Sequence, residues 1–415
     1  MKTEIITIGD ELLIGQTTDT NSQWMARHLS NHGIQVTRIT SLPDQLEVIV
    51  EAFSQAAGRS DVVVITGGLG PTQDDVTRQA ITRFFEVEWR MNADVYRRLK
   101  NYLAQRGYEV SNLNRDQAKT PDGARVFVNR VGTAPAMGLE KQGCWFYFLP
   151  GVPPEMRALI MSSILPELSS RGESKHYLYN MVLTQGLPEA HLAEKLKDYE
   201  QQLPQHLMLA YLPGEGLVRL RLSGRDADHN RLKGDLEQWL SRLKELILPY
   251  IVYVGDEPLE RLIGRLLVER QQSLATGESC TGGIIAGLIT SVAGSSRYFK
   301  GSVVAYSNQV KMSMLKVSAK TLEQHGAVSQ QLVEEMARGT RKTFGSDYAV
   351  SVSGIAGPGG GTAQKGVGTT WIAVAGPDAK IQTRLYHFGH DRELNIRKTA
   401  NTALVMLKRL ISDEI

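Results

Sequence analysis

Short apolar runs separated by helically spaced segments dominate the first third of the chain. Residues 4 to 9, EIITIG, form a β-branched run that ends at Asp10. Residues 20 to 32 place Trp24, Met25 and Leu29 at helical spacing, and IQVTRIT then reads as a second strand. A helical stretch near residues 44 to 57 precedes DVVVITGG, residues 61 to 68. That run is apolar throughout, as a strand buried on both faces of a parallel sheet is. Strand, helix, strand, helix, strand with short joins predicts a doubly wound α/β domain. Its end is expected in GVPPEMRALIMSSILPEL, a proline-capped helix followed by polar SSRGESK.

From about residue 174 the pattern changes. YLYNMVLTQG, a helix near 188 to 200, LMLAYLPGEG, GLVRLRLSG and a charged helix near 228 to 247 predict a small α+β module. Val218, Leu220 and Leu222 alternate with Arg219 and Arg221, the mark of a sheet with one exposed face. GDEPLE, residues 255 to 260, serves as linker and helix start. Beyond it SLATGES, GSVVAYS, DYAVSVSG and GVGTTWIAVAG again alternate with helices, which predicts a second α/β domain. The expected domains are 1–172, 173–255 and 256–415. The middle one carries no chemistry and is assigned to packing or dimerisation.

Composition narrows the classes. At 415 residues the chain exceeds one ordinary core, and 42% hydrophobic with 22% charged residues is a globular composition. Forty-seven basic against 44 acidic residues leave a formal charge of +3, so no long-range field toward nucleic acid is implied. Glu4 and Asp10 interrupt what a secretory signal would need as an apolar region, and no apolar run approaches a bilayer span. The two cysteines, Cys144 and Cys280, offer no metal spacing or disulfide framework. A cytoplasmic protein without a membrane partner is expected.

TGGLGPTQDD, Thr66 to Asp75, follows the buried strand directly. Gly67, Gly68 and Gly70 let the backbone turn sharply near a ligand, and a helix expected from about Asp75 would present amides to a phosphate. Asp74 and Asp75 would repel a bare phosphate, which suggests a divalent metal between them. Asp10 and Glu11 leave the end of the first strand, on the carboxyl edge where parallel sheets bind ligands. The bland alternative is turn glycines and helix-capping aspartates.

A second constellation lies in the last third. ESCTGG, Glu278 to Gly283, joins a strand to an apolar helix, a setting in which backbone donors can hold an oxyanion. Serine needs a base, and no histidine stands in a triad motif. His325 ends a helix in TLEQHGAVS. Lysine serves where burial lowers its pKa, and Lys311, five residues after Tyr306 across a strand-to-helix turn, is such a candidate. Its ordinary reading is a solvated surface lysine. GIAGPGGGT, Gly354 to Thr362, is dense enough in glycine to wrap a phosphate but lacks a P-loop ending, so ATP is not indicated.

GDELLIG, Asn21, TGGLGPTQDDVT, GTAPAMGLE and LPGVPPEM together resemble the molybdopterin-binding-like domain of the CinA family. ESCTGG, AGSS, VVAYSN, HGAVS and SGIAGPGGG, in this order, resemble the family's C-terminal domain, which matches stand-alone nicotinamide mononucleotide deamidases. The resemblance covers nearly the whole chain. It implies two hydrolytic activities: deamidation of nicotinamide mononucleotide by a serine–lysine mechanism, and metal-dependent cleavage of ADP-ribose to AMP and ribose 5-phosphate. For the first site it implies metal acids Asp10, Asp74 and Asp75, with Mg, Mn or Co as the cation. Asn21, Gly67, Gly68, Gly70 and Thr72 would surround the nucleotide, and Glu155 is a weaker candidate. Ala136 departs from the glycine often found after GTAP.

For the second site the resemblance implies Ser279 as nucleophile, Lys311 as base and Tyr306 as proton relay, with no metal. Ser296 and Cys280 remain rival nucleophiles. Thr281, Gly282, Gly283, Ser353, Gly354, Gly357, Gly359 and Gly360 are assigned to the substrate, Ser353 standing where threonine is common. Arg392, with Arg397 second, is assigned to its phosphate. A homodimer without direct nucleic-acid contact is expected. The competing readings are a molybdopterin-binding protein and a competence- or recombination-associated interaction protein.

Overall fold

The computed structural model describes residues 1–70, 76–171 and 176–413. Its backbone divides into two compact units, Met1–Leu178 with Gly224–Leu236, and Tyr179–Ser223 with Glu237–Ile415.

The first unit is built on β1 (Lys2–Ile8), β2 (Gln35–Leu42), β3 (Val62–Thr66), β4 (Trp89–Met91), β5 (Lys119–Pro121), β6 (Arg125–Phe127), β7 (Ala136–Lys141) and β8 (Cys144–Leu149). Six of these form one sheet in the order β2-β1-β3-β8-β7-β6, while β4 and β5 pair separately. β1, β2, β3 and β8 run parallel, and β7 and β6 add an antiparallel edge. The apolar run of β3 explains its central place. Val63 and Ile65 enter one core with Phe53, Phe146 and Phe148, and Val62 and Val64 enter another with Met25, Leu29 and Tyr147. A strand that feeds two cores has no polar face to spare.

Between the α/β domains the chain forms β9 (His176–Thr184), β10 (Leu207–Gly214), β11 (Leu217–Asp226) and β12 (Ile251–Val254), with helices Glu189–Gln201 and His229–Ile247. The sheet order is β10-β11-β9-β12, and β12 lies antiparallel to β9. Strand–helix–strand, twice over in this order, is the split βαβ arrangement. Val218, Leu220 and Leu222 are buried, as their alternation predicts.

The last domain consists of β13 (Leu274–Glu278), β14 (Phe299–Val304), β15 (Tyr348–Gly354), β16 (Thr369–Ala375) and β17 (Ile381–His387), ordered β14-β13-β15-β16-β17. β14, β13 and β15 are parallel, and β16 and β17 return antiparallel. The chain leaves β13 for β14 on one side and later reaches β15 on the other. That reversal opens a crevice at the carboxyl ends, where α/β sheets bind ligands. β1, flanked by β2 and β3, makes the same reversal in the first domain. Among the described residues no helix is long and apolar enough to cross a membrane.

Candidate functional sites

Ser279 follows the last residue of β13, and its amide donates to Val352 O at 3.1 Å. The turn it opens runs into the helix Ile284–Thr290. Glu278, fully buried, holds this turn. Its Oε2 accepts from Thr281 Oγ1 (2.7 Å), Gly283 N (3.1 Å) and Ile285 N (3.0 Å), and its Oε1 from Ala286 N (2.8 Å) and Thr276 Oγ1 (3.3 Å). With Gly283 N, Ile285 N and Ala286 N taken, the amides of Cys280 and Thr281 have no acceptor among the described residues.

Lys311 reaches the same place from the other side. Ser307 caps the helix Asn308–Leu315, its hydroxyl accepting from Val310 N. Lys311 and Leu315, one turn apart, therefore share the inward face and are both buried. The lysine is only 2% exposed, its Nζ donates to Tyr306 O at 3.1 Å, and it forms no ion pair among the described residues. Burial pushes its pKa below the ordinary lysine value, opposed by Cys280. Desolvation of this kind disfavours the charged form of a lysine.

Ser279, Lys311, Tyr306, Cys280, Ser353, Gly354 and Arg392 line one cavity of about 210 Å³. Ser353 Oγ donates to Ala327 O at 2.6 Å, which ties β15 to the opposite wall. Arg392 Nη1 donates to Gly357 O (2.7 Å) and Nη2 to Tyr306 Oη (3.4 Å). Nearby, Asn395 Nδ2 donates to Ala356 O (3.0 Å) and Gly389 O (2.9 Å), so the first turns of the helix Arg392–Ile411 pin the glycine-rich loop.

Several expected residues sit elsewhere. The exposed Ser296, in a 3-10 turn, does not line the cavity. The Thr281 hydroxyl is committed to Glu278, Gly283 gives its amide to the same carboxylate, and Gly282 lies outside the lining. Gly357 contributes its carbonyl to Arg392, while Gly359 and Gly360 stand beyond the lining. Arg397 is bound to Glu215 (2.9 Å) and Glu393 (3.0 Å), which takes it from the phosphate role. Tyr306 is 63% exposed, and its carbonyl, not its hydroxyl, meets Lys311. Cys280 is buried, and desolvation pushes its thiol up to about 12, which disfavours the thiolate a cysteine nucleophile needs. Glu278 is a residue that sequence reasoning missed; its place at a strand end beside a nucleophile was the available signal.

The first domain holds a larger pocket, about 560 Å³, at the carboxyl ends of β1, β3 and β8. Gly67, Gly68, Gly70 and Asn21 line it. A Cβ on Gly67 would lie 2.1 Å from Ile8 O, so the two strand ends approach as only glycine permits. Asn21 Nδ2 donates to Gly151 O (2.7 Å), leaving a buried Oδ1 without a partner among the described residues. Asp10 does not line the pocket. Its amide donates to Asp44 Oδ2 (3.1 Å) and its Oδ1 accepts from Asp44 N (3.2 Å), and it is Asp44, with Glu11, Asp19 and Glu155, that faces the space. Burial raises the Glu155 carboxyl, opposed by Asn129 Nδ2 at 2.5 Å and the amides of Ala134 and Thr133. Thr72, Asp74 and Asp75 lie outside the described residues. Among the described residues no three acids, histidines or cysteines gather as a metal cluster.

Comparison with known proteins covers the chain in three parts. A CinA C-terminal domain matches residues 256–411, a probable molybdopterin binding domain residues 4–170, and a damage-inducible protein CinA KH domain residues 180–252. A CinA-like protein of Cytophaga hutchinsonii is 42% identical over 410 residues, 99% of this chain and 98% of that protein. One from Flavobacterium psychrophilum is 40% identical over 416 residues, 99% of both. The crystal structure of competence/damage inducible protein CihA from Agrobacterium tumefaciens is 39% identical, covers 36% of this chain and 91% of that one, and has a TM-score of 0.36.

Proposed function

The chain belongs to the CinA family, and on that premise we propose that its C-terminal domain hydrolyses the carboxamide of nicotinamide mononucleotide to nicotinate mononucleotide and ammonia. The observation that carries this reading is Lys311, buried without a carboxylate in the cavity that Ser279 also lines. Neutral Lys311 takes the proton of Ser279 Oγ as the oxygen attacks the carboxamide carbon. The amides of Cys280 and Thr281 are the donors available to the oxyanion. Collapse expels ammonia, which leaves with the proton held by Lys311, and an ester on Ser279 remains. Water, deprotonated by Lys311, then attacks the ester; collapse returns the lysine proton to Ser279 Oγ, and the acid product loses its proton to solvent and departs as the carboxylate. Arg392, held by Gly357 O and the Tyr306 hydroxyl, and Gly354 at the start of the glycine-rich loop would meet the phosphate end. No step needs a metal.

For the first domain we propose ADP-ribose as the ligand of the larger pocket, hydrolysed to AMP and ribose 5-phosphate with a divalent cation. Its volume falls within the usual range for small-molecule sites, and the glycine turn suits close approach of a phosphate. Asp44 and Glu155 add oxygen donors at its wall. The described acids do not assemble a cation site by themselves.

The alternative, molybdopterin handling or a competence role, leaves the serine–lysine pair unexplained. The middle segment, 180–252, contains no pair of glycines at the spacing of the G-x-x-G loop with which KH domains clamp nucleic acid. Salt-sensitive retention on DNA would favour that alternative. The amidase reading is tested by ammonia release from nicotinamide mononucleotide under excess chelator. Turnover in the wild type and its loss in Ser279→Ala are expected; a silent wild type ends the reading.

A further inference from the structure

We infer that Glu278 is a positioning residue of the amidase site, holding the Ser279 turn in its reactive geometry by tying both ends of that turn to one carboxylate. This rests on the amidase reading. Only Ser279, Cys280, Thr281 and Gly282 lie between Glu278 and Gly283, the first residue whose amide Glu278 accepts. The carboxylate therefore closes a small ring around the nucleophile. Two further amides, Ile285 N and Ala286 N, fix the ring to the following helix, and the hydroxyls of Thr276 and Thr281 complete the set. The preceding backbone is held as well, by Ala305 N donating to Glu278 O at 2.7 Å.

Five donors converge on two oxygens in a volume closed to water. A carboxylate offers about four lone-pair sites and no donor, so the five donors saturate it; a carboxamide would turn an N–H₂ toward Ala286 N or toward its other partners. The same bonds occupy the amides of Gly283, Ile285 and Ala286, so the amides of Cys280 and Thr281, just after the nucleophile, are left without an acceptor among the described residues. Glu278 touches neither substrate nor reacting atoms. It acts through the direction of Ser279 Oγ and of those amides.

The test compares wild type, Glu278→Gln and Thr281→Val in kcat and KM for nicotinamide mononucleotide. Calorimetry with nicotinate mononucleotide supplies the number of binding sites per chain. A misplacement of about 1 Å in a catalytic group costs on the order of 10²-fold in rate. Glu278→Gln is expected to lose about that much in kcat, with KM within a few-fold of wild type and about one site per chain retained. Thr281→Val, which removes one donor of five, is expected to lose less in the same manner. A Glu278→Gln enzyme with wild-type kcat overturns the inference. So does a fall in kcat matched by an equal fall in binding sites, since a residue needed only for folding would produce it. Should Glu278→Gln not fold, Thr281→Val decides: wild-type kcat, or kcat and site number falling together, overturns the inference, and lower kcat with full occupancy supports it. A wild type that releases no ammonia, or a Ser279→Ala variant that releases it normally, instead defeats the amidase reading itself.

Discussion

A lysine sealed from water without a carboxylate destabilises the fold whenever it is charged. Burial lowers the folded pKa of Lys311 below its unfolded value, so the unfolded chain binds more protons in the window between the two. Stability measured against a Lys311→Met variant should therefore rise with pH through that window, whose upper bound is the ordinary lysine value of about 10.4. At neutral pH, Lys311→Met should melt higher than wild type while releasing no ammonia, which thermal denaturation and the assay check together. The rate should follow the same group: kcat/KM rises with pH and levels off below the ordinary lysine value. Ser279 and Lys311 were legible as residues because their motifs are specific. The depth of Lys311 was not, since it depends on the Ser307 cap and on Leu315 one turn later. Asp44 and Glu278 escaped because one stands in an unremarkable turn and the other meets its partners only once the helix has formed.

At the scale of elements, β3 was legible because it is apolar along its length; β8 and β17 were not. IQTRLYH is half polar, as an edge strand with one exposed side is, and nothing in it marks pairing with β16. The helix Gln330–Phe344 sets how deeply the lysine-bearing helix sits. A Cβ on Gly339 would lie 1.7 Å from Leu315 O, so the two helices meet backbone against backbone. Gly339→Ala must push the helix Asn308–Leu315 outward. Overpacking of this kind costs about 1–3 kcal/mol, visible in a denaturant titration, and kcat for ammonia release should fall with it. Unchanged stability would mean that the helices part without strain. Gly132 plays the corresponding part in the first domain, where a Cβ would lie 2.0 Å from the Glu155 carboxyl carbon. Gly132→Ala should weaken ADP-ribose binding by calorimetry and leave ammonia release as in wild type.

At the scale of the molecule, the three-part order of the chain was legible from changes in periodicity, whereas the engagement of the middle segment was not. The β10–β11 hairpin tip places Glu215 against Arg397 and Asn401, and Gln185 reaches Thr402, so the helix that pins the glycine-rich loop also carries the middle strands. Arg397 looked free in sequence because its partner lies 182 residues away. The two proposed sites share no lining residue, and they should fail separately. Chelation is expected to stop ADP-ribose cleavage and spare ammonia release, and Lys311→Ala to do the reverse, both read from product formation. The central claim is that Lys311 is a neutral base at working pH. Its most direct test is the NMR titration of lysine side-chain amines labelled with nitrogen-15, with Lys311→Arg supplying the assignment. A Lys311 resonance that titrates below the ordinary lysine range is the predicted result. Titration at or above that range would contradict the account, because a charged Lys311 cannot take the proton of Ser279.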